Sequence, residues 1–298
     1  MDARTTIGRF VRQLREDKGL TQDQVATKTG ISYQFLSGLE NGRENFSIDV
    51  LESLAKALGV SLPRLVGGAY GTQEGLAAPR ANPNLFRPQV PLPPSMKVSH
   101  LEAAINATQE LVARINANLV ASGAKPLPEY IQGTNFSGLV SNVLSDALHE
   151  HSPYKHNSDQ AYPDLINPNA KESGKPVGLE VKSTIQIGKS GESHNGHSGW
   201  HLVACFQIEP ATGVVRFVHV MLAVLNGHTH PQSDWVYVGS KVNATTGSRR
   251  TETYNTTLAG TTKLRDGSVY LDSTVVDFKR WRQARSGPVP PFSIFSQA

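Results

Sequence analysis

The sequence predicts a multidomain chain of two classes, an all-α bundle followed by an α/β domain with a mixed central sheet. Three observations predict it. Apolar residues recur at helical spacing through residues 1–66, proline and glycine crowd residues 67–97, and β-branched and aromatic runs dominate after Tyr162. A length of 298 residues with 38% hydrophobic content allows one small domain and one of ordinary size. The single cysteine, Cys205, lies in the apolar run Leu202-Val-Ala-Cys-Phe206, where it reads as a buried small side chain. A disulfide framework is therefore excluded, and a reducing, cytoplasmic setting is expected. The N-terminus lacks the pattern of a signal peptide, and the longest apolar stretches are strand-length, so no membrane partner is expected. A formal net charge of +4 favours a polyanionic partner.

In the first domain, residues 1–66, Ile7, Phe10, Val11 and Leu14 form an apolar stripe that Gly19 ends. Thr21 is placed to cap a short helix stopped by Gly30, and Ser32 to cap a third helix bearing Phe35, Leu36 and Leu39. Ser47 opens a fourth, with Leu51, Leu54 and Leu58 facing inward. Helix, short helix, tight turn, helix is the helix-turn-helix order. The segments Gly19-Leu-Thr-Gln-Asp-Gln-Val-Ala26, Gly30-Ile-Ser-Tyr-Gln-Phe-Leu-Ser-Gly-Leu-Glu-Asn-Gly-Arg43 and Leu54-Ala-Lys-Ala-Leu-Gly-Val-Ser61 resemble the Cro/C1 (XRE) phage-repressor family. The resemblance implies that Gln22 touches a phosphate. It also puts Ser32, Tyr33, Gln34, Ser37 and Gly38 on the exposed face of a recognition helix, and has Asn41 and Arg43 grip the DNA backbone. Arg15 and Glu40 stand where the family pairs an arginine late in its first helix with a glutamate ending the third, so an ion pair is expected. The bland alternative is a small helical bundle that touches no DNA.

Residues 67–97, with Gly67-Gly68 and six prolines from Pro79 to Pro94, read as a partly extended linker or arm. The remaining domain, residues 98–298, opens with an Ala-rich helix over about 99–121 and a second over about 136–150. Strands are expected at residues 200–209 and 213–225, joined by Pro210-Ala-Thr-Gly213, with short ones at 235–238, 261–264 and 268–271.

The chemistry concentrates between Pro163 and Lys182. Asp164 and then, after fifteen residues, Glu180-Val181-Lys182 lie in two strand-like runs, and residues 180 and 182 share one face of a strand. Two carboxylates brought together at neutral pH call for a divalent cation, and the lysine adds an ammonium suited to a phosphate. Pro163-Asp164 with Glu180-Val-Lys182 resembles the PD-(D/E)XK nuclease signature. That implies a restriction-endonuclease-like α/β core, Mg2+ held by Asp164, Glu180 and the Val181 carbonyl, Lys182 as a catalytic residue, and Glu150 as a third acid from the preceding helix.

Competing readings remain beside it. Val275-Val-Asp277-Phe278-Lys279 is a second acid–lysine motif, and surface acids in an ordinary hairpin would carry the same letters. His194, His197, His201, His228 and His230 invite a zinc site, but the nearest sequence carries no cysteine. The same polar loop, with Lys189, His194, Asn195, His197 and Ser198, reads better as DNA-contacting, or as plainly solvated. Arg249-Arg250 and Lys279-Arg280-Trp-Arg282-Gln-Ala-Arg285 are basic clusters suited to phosphates or to solvent. Together these features point to a type II restriction endonuclease, with a faint similarity to ApaLI-like enzymes around Gly196-His-Ser-Gly-Trp-His201, acting on double-stranded DNA as a homodimer. The alternatives are a transcriptional regulator with a non-catalytic C-terminal domain, or a repair or modification-dependent nuclease.

Overall fold

The computed structural model describes residues 3–62, 65–66, 78–158, 162–187, 193–194, 196–239 and 253–296. The chain divides into two compact units: residues 1–77 with 117–124, and residues 78–116 with 125–298.

The first unit contains α1 (Ala3–Asp17), α2 (Gln22–Thr29), α3 (Tyr33–Glu40) and α4 (Ile48–Ala57). Thr21, Ser32 and Ser47 are the N-caps, accepting from the backbone N–H groups of Gln24, Phe35 and Val50, and Gln24 completes a capping box. Val11, Val25, Leu36, Leu39 and Leu54 are fully buried at the centre. Helices α1 and α3 cross closely because residue 8 is glycine; a Cβ there would stand 2.0 Å from the Leu39 carbonyl oxygen.

The second unit is built on a six-stranded sheet. Its helices are α5 (Val98–Ala121, of which residues 98–116 belong to this unit), α6 (Gly133–His151) and α7 (Leu258–Asp266). Its strands are β1 (Lys155–His156), β2 (Leu165–Glu172), β3 (Lys175–Thr184), β4 (Ser193–His194), β5 (Gly199–Ile208), β6 (Val215–Leu225), β7 (Trp235–Tyr237), β8 (Tyr254–Thr256) and β9 (Ser268–Leu271). The main sheet runs β1-β2-β3-β5-β6-β9, with β3 and β5 parallel and every other pair antiparallel. A smaller sheet runs β4-β8-β7. Alternation along the strands sends side chains to two cores. Val177, Leu179, Val181, Leu202 and Phe206 pack with Phe136, Val140, Leu144 and Leu148 of α6 on one face. Val203, Cys205, Met221, Leu264 and Trp281 pack on the other.

Two expectations need correction. Residues 261–264 are helical, not a strand: Thr257 caps α7 by accepting from the Gly260 N–H, and the β-branched Thr261-Thr262 pair sits inside the helix so begun. Of the two readings of residues 67–97, residues 78–97 follow the arm and not the linker, and they belong to the second unit instead of preceding it. Ala81, Phe86, Val90 and Met96 are buried in the α6-side core, Phe86 bridges to Tyr270, and the Arg87 N–H donates to the Val269 carbonyl. Pro83 opens a 3-10 turn (Pro83–Leu85), and burial of these apolar side chains makes the segment an integral part of the second unit. Residues 67–77 lie outside the described set.

Candidate functional site

In the first unit, Arg15 and Glu40 meet as expected: Nε to Oε1 at 2.6 Å and Nη2 to Oε2 at 2.9 Å, a bidentate pair. The Glu40 side chain is fully buried and Arg15 one-tenth exposed, and the Arg15 guanidinium is held above its usual pKa by the Glu40 hydrogen bond. Arg15 also donates to the Leu20 carbonyl. Gln22 donates to Glu40 Oε2 at 2.7 Å, so the residue expected at a phosphate is first of all part of this network. Tyr33 and Gln34 are exposed at the start of α3, with Ser37 half-buried a turn later. Ser32 is exposed as well, although its hydroxyl is engaged as the cap. Gly38 differs from expectation. It is buried, and a Cβ there would press on the Glu44 side chain, so it faces the turn rather than solvent. Asn41 donates its amide to the Ser37 carbonyl, and Arg43 is exposed.

In the second unit, the β2–β3 register sets Leu165 opposite Leu179, and hence Asp164 beside Glu180. Two crossed bonds fix them: the Val181 N–H donates to Asp164 Oδ2 at 2.8 Å, and the Asp164 N–H donates to Glu180 Oε2 at 3.3 Å. Lys182 Nζ stands 2.8 Å from Glu180 Oε1. Burial, and then the charge of Glu180, raise the Asp164 carboxyl above its usual range. A glycine permits the approach. Pro163 lies against Gly178, where a Cβ would come within 2.3 Å of the proline ring.

The strand pairing adds residues that the sequence did not single out for this site. The parallel β3–β5 register puts His201 opposite Glu180 on the face away from α6. His201 is buried and holds Gly199 O at 2.9 Å through Nδ1, and its pKa is pushed down to about 4, chiefly by burial. Tyr162 stacks on His197 with ring centroids 3.8 Å apart, and its hydroxyl donates to the Ser198 carbonyl at 2.5 Å. The Trp235 indole donates to the His197 carbonyl, and both His228 nitrogen groups, backbone N–H and Nδ1, meet the Gly196 oxygen. Residues 196–199 are therefore pinned rather than a loose loop, and the Ser198 hydroxyl is occupied in accepting from the Gly227 N–H. The only legible signals were the period of two joining residues 178, 180 and 182, and the adjacency of Tyr162 to Pro163.

Three expectations are not met, or fall elsewhere. Glu150 is exposed on α6, which covers the opposite face of the sheet, and lines a cavity of about 510 Å³ with Glu110, Arg114 and Asp146. It is not brought to Asp164. The rival motif is not assembled either: Asp277 and Lys279 are exposed and off any strand, and Asp272, the acid preceding them in the sequence, is buried in an ion pair with Arg216. Among the described residues no cluster of three His, Cys, Asp or Glu side chains has metal-binding geometry, and His197, His201 and His228 each serve separate packing roles. Lys189, Asn195 and the His194 side chain lie outside the described residues.

The two units thus define a helix-turn-helix domain joined to an α/β domain with a carboxylate–lysine cluster. Residues 11–65 match the HTH_3 family, described as helix-turn-helix. An HTH-type transcriptional regulator of Sinorhizobium fredii, y4dJ, is 48% identical over 66 residues, which is 22% of this chain and 86% of that protein. The control protein C.SmaI of Serratia marcescens is 32% identical over 76 residues, 26% of this chain and 84% of that one. With the regulator DdrOP3 of Deinococcus deserti the identity is 38% over 78 residues, and the chain spans 60% of that protein's length. The solved structure of the clp gene regulator ClgR from Corynebacterium glutamicum is 35% identical over 24% of this chain and 91% of that one, with a TM-score of 0.24. Through its first unit, the chain belongs to the helix-turn-helix family.

Proposed function

We propose that the chain is a Mg2+-dependent type II restriction endonuclease of the PD-(D/E)XK kind, hydrolysing double-stranded DNA, with the helix-turn-helix unit as a DNA-binding module. The single observation that carries this reading is the convergence of Asp164, Glu180 and Lys182 at one point of adjacent strands. The donors fit a hard divalent cation. Asp164 and Glu180 offer only oxygen, the Val181 carbonyl is adjacent, and the Asp164 carboxyl is raised by burial and then by the charge of Glu180.

Such a cation supplies positive charge that neutralises the paired carboxylates and polarises the scissile phosphate. Glu180 and the Val181 N–H orient Asp164, while Lys182 sits where it can meet charge building on the phosphate oxygens. Water adds to phosphorus in line with the leaving O3′, the P–O3′ bond breaks, and a proton passes to O3′. His201, held neutral beside Glu180, adds no positive charge there at neutral pH. Cutting both strands of a two-fold symmetric site calls for a homodimer.

A second reading is favoured by one observation, the description of y4dJ and DdrOP3 as transcriptional regulators. In it the second unit binds or dimerises without cleaving. Incubating purified protein with plasmid, with and without Mg2+, separates the two: discrete Mg2+-dependent fragments are expected, and shifted but intact DNA would leave the regulator.

A further inference from the structure

We propose that the turn Lys279–Arg282 is a DNA-backbone contact surface of the second unit, separate from the helix-turn-helix. It rests on DNA as the partner and not on the cleavage chemistry. The turn is a 3-10 helix whose one apolar residue, Trp281, is buried at 3% exposure. The indole is held on two sides: His219 stacks on it at 5.5 Å between centroids, and the Arg265 guanidinium lies 4.6 Å over its ring. His219 is itself fully buried and bonded to the Ser268 hydroxyl at 2.7 Å, which makes the anchor rigid. With Trp281 pinned inward, Lys279, Arg280 and Arg282 are all exposed. Residues three apart eclipse in a 3-10 helix, so Lys279 and Arg282 leave on the same side.

The charge survives its surroundings. Two buried acids of this unit are committed elsewhere, Asp266 to Arg285 at 2.9 and 3.1 Å and Asp272 to Arg216. Asp277 is exposed two residues before Lys279, one acid against three cations. The position also suits a polymer spanning the sheet. Trp281 belongs to the core formed with Val203 and Cys205, on the same sheet face that carries His201, Glu180 and Lys182.

Phosphate contacts release counterions, so each lost contact lowers the slope of log K against log salt by about 0.9. The full-length chain, without Mg2+, is titrated with a short duplex of arbitrary sequence at several salt concentrations. Replacing Lys279, Arg280 and Arg282 together by alanine should lower that slope by roughly 2.7. Between 50 and 200 mM salt the native chain then weakens about 40-fold more than the variant. A charge-matched control, Lys97, Lys171 and Lys175 to alanine, removes the same number of exposed cations and should keep the native slope. Equal slopes for the native chain and the Lys279/Arg280/Arg282 variant overturn the proposal. So does an equal loss in the control, which would make the effect one of net charge. Binding to phosphatidylserine vesicles that the variant loses, with its DNA slope unchanged, would assign the turn to a lipid surface and overturn it too. If the native chain never cuts plasmid with Mg2+ yet the slope falls as expected, the nuclease reading fails and this contact stands.

Discussion

The two units carry their functional charges in opposite ways. In the first, Arg15 and Glu40 are buried as a bidentate pair with Gln22 closing the network, so opposite charges cancel and the gain is structural. In the second, Asp164 and Glu180 are brought together with like sign, and Lys182 stands beside them as the cation. The first arrangement holds a fold; the second stores unfavourable electrostatics at one point of a sheet. Like-charged pairs of this kind are concentrated at functional sites, and that is the support the cluster lends to the proposed reading.

The largest effect that can break this contrast lies in the first unit. Arg15→Met leaves the buried Glu40 carboxylate without its partner and should cost about 3–5 kcal/mol. Calorimetry of the full chain should show one transition lowered and the other in place. An unchanged thermogram would mean that the pair contributes nothing to that unit's stability.

Next in size is the lysine of the second unit. Lys182→Ala should lower cleavage by about 10²–10³-fold with DNA affinity nearly unchanged, as for loss of one group that stabilises transition-state charge. Lys279→Ala, exposed and off the sheet, should reduce cutting only a few-fold, by about the value of one backbone contact. The reverse ranking in single-turnover assays would move the catalytic centre to the Asp277-Phe278-Lys279 segment. Between these in mechanism stands Gly178→Val. It pushes Pro163 off β3, displaces Asp164 from Glu180, and should cost on the order of 10²-fold in rate while leaving the fold melting cooperatively.

How far each unit was legible follows from the range of its determinants. Caps, stops and the apolar stripe of the first unit are local, and Thr21, Ser32 and Ser47 act as their spacing says. The Asp164–Glu180–Lys182 cluster was legible because a strand's period of two and a short hairpin-like connection suffice to assemble it. His201 was not, since its place opposite Glu180 depends on a parallel register across a crossover that no local pattern encodes. Glu150 failed for a related reason: it sits on a helix facing the other side of the sheet, and helix phase relative to a sheet is a tertiary choice. Residues 78–97 stayed open between linker and arm because proline density describes backbone conformation and says nothing of what the intervening Phe86, Val90 and Met96 bury against.

Acid should separate the units by composition alone. Residues 1–77 contain no histidine, whereas His201 and His219 of the second unit are buried with pKa values pushed down to about 4 and about 3. Between those values and the ordinary 6.5 the unfolded chain takes up protons that the folded one refuses, so stability falls as pH falls. The transition of the second unit should therefore drop between pH 6.5 and 4.5 by more than that of the first. Parallel shifts of both would remove buried neutral histidine as the cause.

The smallest effect bears most directly on stored charge. A carboxyl whose folded pKa is raised binds its proton more tightly folded than unfolded, so ionisation at neutral pH costs the fold stability. Asp164→Asn keeps an oxygen to accept the Val181 N–H and removes the charge facing Glu180. In chelator at pH 7 it should raise the second unit's melting temperature by roughly 1–3 °C. The gain should shrink as pH falls through the raised folded value and vanish below the usual carboxylate range, where the native residue is protonated in both states. Excess Mg2+ should reverse the order, since a cation that binds only the folded carboxylate pair stabilises the native chain by mass action. A gain that persists unchanged in Mg2+ would separate the two halves of the argument. The carboxylates would still repel, but as a strained structural pair rather than as the ligands of a cation.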